Sequence, residues 1–204
     1  MQVSRAAPPG LTLIELLSEV CDAVSTSFPD MTSPEHIHDH MSFLNILDWR
    51  IRSLPLRASS SPGGPSDMSI TMSEDPAHMI EELYQLAVLV YLNRASDNLL
   101  NQWSRTQKQI DRAFAMLARL KSCDRQFPVF IFGAEARTDE RRAIILDLIM
   151  RTTKGSVSSR SYNHTRLLLQ AMWAQDDLAD GGEIKYFERM SNMITLCAIM
   201  PTFV

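Results

Sequence analysis

Glycine is scarce in this chain: seven among 204 residues, with only three tryptophans. So few turn-forming residues exclude a propeller or another turn-rich β architecture. The adjacent pair Gly63-Gly64 is followed by proline, not by the Gly-Lys-Ser/Thr of a phosphate cradle. Cysteine is equally sparse. Cys21, Cys123 and Cys197 form no CxxC pair, no zinc-ligand spacing and no even-numbered disulfide framework, which fits a reducing compartment, cytosol or nucleus. A basic excess is missing too, because 20 Lys+Arg face 24 Asp+Glu for a net charge of −4. A domain that grips nucleic acid must neutralise several phosphates. The densest basic runs, Arg50–Arg57 and Arg137–Arg142, are broken by apolar or acidic residues, so no direct nucleic-acid contact is expected of this chain. Long apolar runs are absent: Leu83–Leu92 is about half the length that a membrane span needs, and Met1–Gly10 lacks the apolar core of a signal peptide. No membrane partner is expected.

What is present is the material of a helical domain. Hydrophobic residues make up 45% of the chain and charged residues 22%, ordinary proportions for a folded domain with one good core. Twelve methionines, with many Leu, Ala and Gln, favour helix because unbranched side chains lose little rotamer freedom there. Leu13, Leu16, Leu17, Val20, Cys21 and Val24 recur at steps of three and four, which predicts an amphipathic helix over Leu11–Val24. Ser33-Pro34-Glu35 opens a second helix carrying Ile37, Met41, Leu44, Leu47, Ile51 and Leu54, stopped by Pro55. Asp75-Pro76 opens a third, over Ala77–Leu100, whose segment Leu83–Leu92 is apolar nearly all round and therefore central. Gln107–Lys121 carries a stripe of Ile110, Ala113, Phe114, Leu117 and Leu120. Phe127–Phe132 reads as a short buried helix. Thr138 with Asp139 and Glu140 caps the next helix, which ends at Gly155. Asn163 is expected to cap another, with Leu167, Leu168, Ala171 and Met172, and Glu183–Met193 is a last short helix. Helices without convincing strands predict an all-α fold, a single irregular helical domain of about seven to eight helices spanning 1–204. The stretch SSSPGGPS within Arg57–Ser73 has too few apolar side chains to pack, so 57–73 is expected to be a flexible loop inserted in that one domain.

Few residues stand in a pattern that carries chemistry. Glu35-His36-Ile37-His38-Asp39-His40 places His36 and His40 at i, i+4, where two imidazoles meet one metal. Ile37 stands where HExxH needs glutamate, so the metalloprotease pattern fails and a solvated helix face is the plainer reading. Glu81 and Glu82 are adjacent on a helix and point about 100° apart, which suits the wet face of that helix better than acid–base work. Glu135 and Arg137 are read as a buried ion pair locking a chain reversal. No GxSxG is present, and His78 and His164 sit in no nucleophile context. Cys123, beside Lys121 and Arg125, is a lone thiol of the kind that is usually inert. An enzyme is not expected, and no cofactor.

The apolar Leu83–Leu92 helix continuing into Asn93-Arg94-Ala95, followed about thirty-five residues later by FPVFIFGAEARTDERRAIILDLI (Phe127–Ile149), resembles the fungal-specific transcription factor domain. That family carries a segment of the type W-P-[LV]-F-[IV]-x-G-x-E-A. Phe127 replaces its tryptophan, while Pro128, Phe130, Gly133, Glu135 and Ala136 match. A downstream helix with Trp173 is similar as well. The likeness covers roughly Pro76–Leu178 and implies the helical regulatory region that lies C-terminal to a Zn2Cys6 DNA-binding head, in the nucleus. Three cysteines cannot supply that head, so the chain is expected to be a fragment or truncated relative that binds neither zinc nor DNA itself. The resemblance further implies effector sensing, with a small hydrophobic ligand between helices in a pocket lined by Leu83, Leu86, Val90, Phe130 and Phe132. A second reading is a protein-interaction module that dimerises or contacts the transcription machinery, docking through the apolar tail Ile194–Val204. A third, a metal-dependent helical enzyme using the histidine cluster, has the least support.

Overall fold

The computed structural model describes residues 9–26, 34–55, 75–154, 159–178, 186 and 188–190. Seven helices lie among them, with no strand: α1 (Pro9–Thr26), α2 (Pro34–Arg52), α3 (Pro76–Ala95), α4 (Trp103–Arg119), α5 (Gln126–Ala134), α6 (Asp139–Lys154) and α7 (Ser159–Leu178). Residues 186 and 188–190 are helical too. The chain is all-α, as its periodicity predicts. The expected loop 57–73 and the apolar tail 194–204 fall outside the described residues.

α3 begins where the sequence marks it: Asp75 accepts a hydrogen bond from the Ala77 N–H at 3.1 Å, with Pro76 at the first helical position. Every residue from 82 to 90 is buried. Such a helix needs neighbours on all sides, and α1, α2, α4 and α5 provide them. Gln85, buried on α3, ties the helix to the end of α2 by donating from Nε2 to the Ile51 carbonyl at 2.6 Å. Glu82 departs from expectation. It does not mark a wet face but lies buried in the α3–α4 seam, ion-paired at 2.5 Å with Arg112 of α4. α4 is strongly two-sided, with Ile110, Ala113, Phe114 and Leu117 inward and Asp111, Arg112 and Arg119 outward.

α5 is nine residues long, too short to hold together alone in water. Its helical state depends on enclosure: α3, α4, α6 and α7 surround it, and every residue from Phe127 to Ala134 is buried. The Phe127 ring meets Tyr84 at 5.4 Å and Tyr91 edge-on at 6.1 Å, while Phe132 meets Phe114 edge-on at 6.4 Å. Truncating either phenylalanine to alanine would cost about 3–5 kcal/mol. Gly133 lets Leu169 of α7 pack close to α5, and a larger residue there would have to displace that side chain. A Cβ there would come within 2.7 Å of Leu169 Cδ2, and the Gly133 carbonyl accepts from the Trp173 indole N–H at 2.9 Å.

α6 opens as predicted, with Thr138 Oγ1 accepting from the Arg141 N–H at 3.4 Å. It is joined to α7 by a two-pronged contact of Arg142 with Asp177, at 2.9 and 2.7 Å. Several boundaries differ from those the pattern predicts, three of them by more than a residue or two at the site or inside a helix. α3 stops at Ala95, short of Leu100, and α4 begins at Trp103, well before Gln107. Asn163 is not a cap but lies inside α7, which starts at Ser159. In each case the apolar stripe locates the core-facing turns and says little about how far the backbone stays helical beyond them.

Candidate functional site

The end of α3 and the start of α4 meet in a corner held by left-handed residues. Asp97, Asn98 and Asn101 have φ of 53°, 56° and 51°. Asn and Asp tolerate this region because their short polar side chains bond locally, and Asn98 Oδ1 accepts from the Gln102 N–H at 3.1 Å. The corner turns the chain back over the C-terminal end of α5. Between them lies a cavity of about 520 Å³, whose lining includes Arg94, Asp97, Trp103, Gln107, Glu135, Arg137, Arg141, Tyr186 and Arg189.

Arginines dominate it. Arg94, in the last turn of α3, grips Glu135 with both prongs, Nε to Oε1 at 3.1 Å and Nη2 to Oε2 at 2.9 Å. Its guanidinium carbon also stands 4.4 Å from the centre of the Trp103 ring. Glu135 caps the C-terminus of α5, is only 4% exposed, and donates its N–H to the Ile131 and Phe132 carbonyls. Arg141 of α6 contacts Asp111 at 2.5 Å and covers the Phe114 ring at 4.8 Å. That hydrogen bond holds the Asp111 carboxyl below its usual range. Arg189 donates to the Ala134 carbonyl at 3.0 Å and to Asp176 at 2.6 Å, and Arg137 reaches the same Asp176 oxygen at 3.1 Å. Burial draws the Arg189 guanidinium below its ordinary value, and Arg137 nearby adds to the effect. Burial pushes the Tyr186 phenol well above its ordinary value, with Glu135 acting in the same direction.

The structure therefore re-pairs one expected contact. Glu135 is buried and partnered, but by Arg94 across 41 positions of sequence, while Arg137 turns away to Asp176. Leu83, Leu86, Val90, Phe130 and Phe132 are all buried core residues, none of them lining this cavity. Leu86 also borders a second cavity of about 370 Å³ between α3 and α4, beside Arg52, Arg105 and Arg112. His36 is exposed and His40 half-buried on α2. Burial lowers the His40 imidazole below its ordinary value. No three His, Cys, Asp or Glu side chains gather as metal ligands among the described residues. Cys123 is fully buried, its thiol pushed up to about 11 by that burial.

No sequence pattern singles out Arg141, Tyr186, Arg189 or Trp103. The available signal was faint: single arginines within or beside apolar helical stretches, at Arg94 and Arg189. No periodicity brings residue 94 to residue 135 or residue 176 to residue 189.

The fold and the cavity define an all-helical domain that presents hydrogen-bond donors around a polar hollow, walled on one side by an aromatic ring. The chain belongs to the family described as the fungal specific transcription factor domain, which matches residues 11–197. It is 45% identical over 203 residues to Transcription factor iacI of Pestalotiopsis fici, a match covering 100% of this chain and 49% of that protein. The chain thus spans about half the length of the curated relative it matches. No solved structure matches it. The chain is a regulatory transcription-factor module. No described helix is long and apolar enough to cross a membrane.

Proposed function

We propose that this module works in the nucleus as the sensing part of a fungal transcription factor, binding a small effector in the cavity at the α3–α4 corner. The observation that carries the reading is the placement of that cavity. Its lining comes from the end of α3, the first half of α4, the end of α5, the start of α6 and the helical residues Tyr186 and Arg189. A ligand there touches several elements at once, and it shifts their relative positions by as much as its affinity differs between two arrangements. A volume of about 520 Å³ lies within the usual range for small-molecule sites. DNA contact and zinc are assigned to other parts of the whole factor, in keeping with a net charge of −4 and three separated cysteines here.

A second reading, a surface for protein partners, draws on α2. Phe43, Ile46 and Trp49 follow one another at steps of three along its outer face and are 44%, 54% and 63% exposed. One experiment separates the two. The chain is fused to a heterologous DNA-binding head in a fungal host with a reporter gene. Under the sensing reading, Gln107→Trp, which enlarges a side chain on the cavity lining, shifts reporter output severalfold, whereas Trp49→Asp does not. The opposite pattern would overturn sensing in favour of the α2 surface.

A further inference from the structure

The cavity holds buried donors that no described residue satisfies. Arg189 is 2% exposed, and among the described residues its Nε and Nη1 are buried with no hydrogen-bond partner. Among the described residues Nη2 alone is engaged, with Ala134 and Asp176. The Tyr186 hydroxyl is buried and unpartnered in the same way. Both side chains line the cavity. Leaving a buried donor unpaired costs about 1–3 kcal/mol, and more when it is charged; buried polar groups in folded proteins are therefore nearly always satisfied.

The chemistry of the missing partner follows from the donors. A guanidinium has N–H groups and no acceptor, so its complement is an acceptor. Charge-assisted bonds to carboxylate or phosphate oxygens are the strongest available. The surrounding charge is balanced, so the unpartnered donors and not a net positive field select the ligand. Arg94, Arg137 and Arg141 join Arg189 on the lining, against Asp97 and Glu135. Glu135 is already gripped by Arg94, while Asp111 and Asp176 pair with the arginines without being lining residues. Trp103, 52% exposed, offers ring surface at the rim.

We infer that the cavity receives a small organic anion, whose carboxylate or phosphate group is taken by Arg189 and the Tyr186 hydroxyl and whose ring or apolar part lies against Trp103. This deepens the sensing reading and rests on it: it replaces a hydrophobic effector with an acidic one.

The test uses the purified 204-residue chain and four probes at constant ionic strength: benzoate, phenyl phosphate, inorganic phosphate and the neutral benzyl alcohol. Binding is followed by calorimetry and tryptophan fluorescence. At least one of the two ring-bearing anions should bind about tenfold or more tighter than benzyl alcohol. Comparing those two anions separates carboxylate from phosphate, and inorganic phosphate shows what the ring adds. Arg189→Met is a poor variant because the residue is buried and ties two segments together. Tyr186→Phe removes only the hydroxyl and should weaken anion binding about tenfold with the circular dichroism spectrum unchanged. Trp103→Ala should weaken the ring-bearing anions and spare inorganic phosphate. Benzyl alcohol binding as tightly as benzoate, anion binding indifferent to Tyr186→Phe, or no binding of any probe would each overturn the inference. A reporter response to Gln107→Trp would survive all three results, so failure here is distinguishable from failure of the sensing reading.

Discussion

At the scale of single residues, the pairing of Arg94 with Glu135 governs the site. Arg94 ends the central helix, Glu135 ends the short buried one, and their contact is two-pronged and largely shielded from water. Removing one partner strands the other's charge in a poorly solvated place, which typically costs about 3 kcal/mol or more. Arg94→Met and Glu135→Gln are therefore each expected to destabilise by about 3 kcal/mol in urea unfolding, and the double variant by far less than the sum. Strictly additive losses would show that the pair is not coupled. The sequence exposes half of this. Glu135 stands in a recognisable segment, FGAEA, and its burial beside an arginine is legible there. Which arginine is not legible, because Arg137 is two positions away and Arg94 forty-one. Proximity along the chain favours Arg137, whereas the packing of α3 on α5 brings Arg94.

Among the elements, the corner between α3 and α4 shows where pattern reading stops. The apolar run of α3 fades gradually toward Leu100, yet the helix ends at Ala95 because the following residues take up left-handed backbone. Asn98 makes that turn tolerable by bonding to the Gln102 N–H. Asn98→Ala should cost about 1–2 kcal/mol, through the strained backbone and the lost bond. Asn98→Gly loses the bond but accepts the φ and should cost less. Chemical denaturation of the two variants checks the order, and equal losses would remove the backbone from the explanation. α5 makes the complementary point. Its residues alone leave strand and helix open, since an apolar run this short has no readable period. Its helical neighbours on either side argue for helix, and the structure agrees.

At the scale of the whole molecule, α3 is the axis. α1 and α2 pack on one part of it and α4 and α5 on another, while α6 and α7 complete the core beyond α5. A helix buried on nearly every side opens only when much of the structure opens with it. Hydrogen exchange is therefore expected to be slowest for the amides of residues 82–90 and for those of α5, and faster along the exposed outer face of α2. Comparable protection throughout α2 and α3 would contradict this hierarchy. The same arrangement places the polar cavity at one end of the axis, among the ends of four helices, where a ligand can act on several elements together.

The residues by themselves determined the all-helical class, the central position of Leu83–Leu92, the capped starts at Asp75 and Thr138, and the family. These follow from composition, from a period of about 3.6 residues, and from local capping and motif chemistry, all of which act over a few positions of chain. Tertiary structure alone decided where helices end beyond their apolar stripes, that Glu82 is buried, and that Arg94 is the partner of Glu135. It also decided that the apolar segments expected to line a pocket are core, while the arginines and Tyr186 surround the cavity. Those outcomes depend on contacts between residues tens of positions apart. Side-chain pairing there is set by how helices pack, and no local pattern in the sequence encodes it.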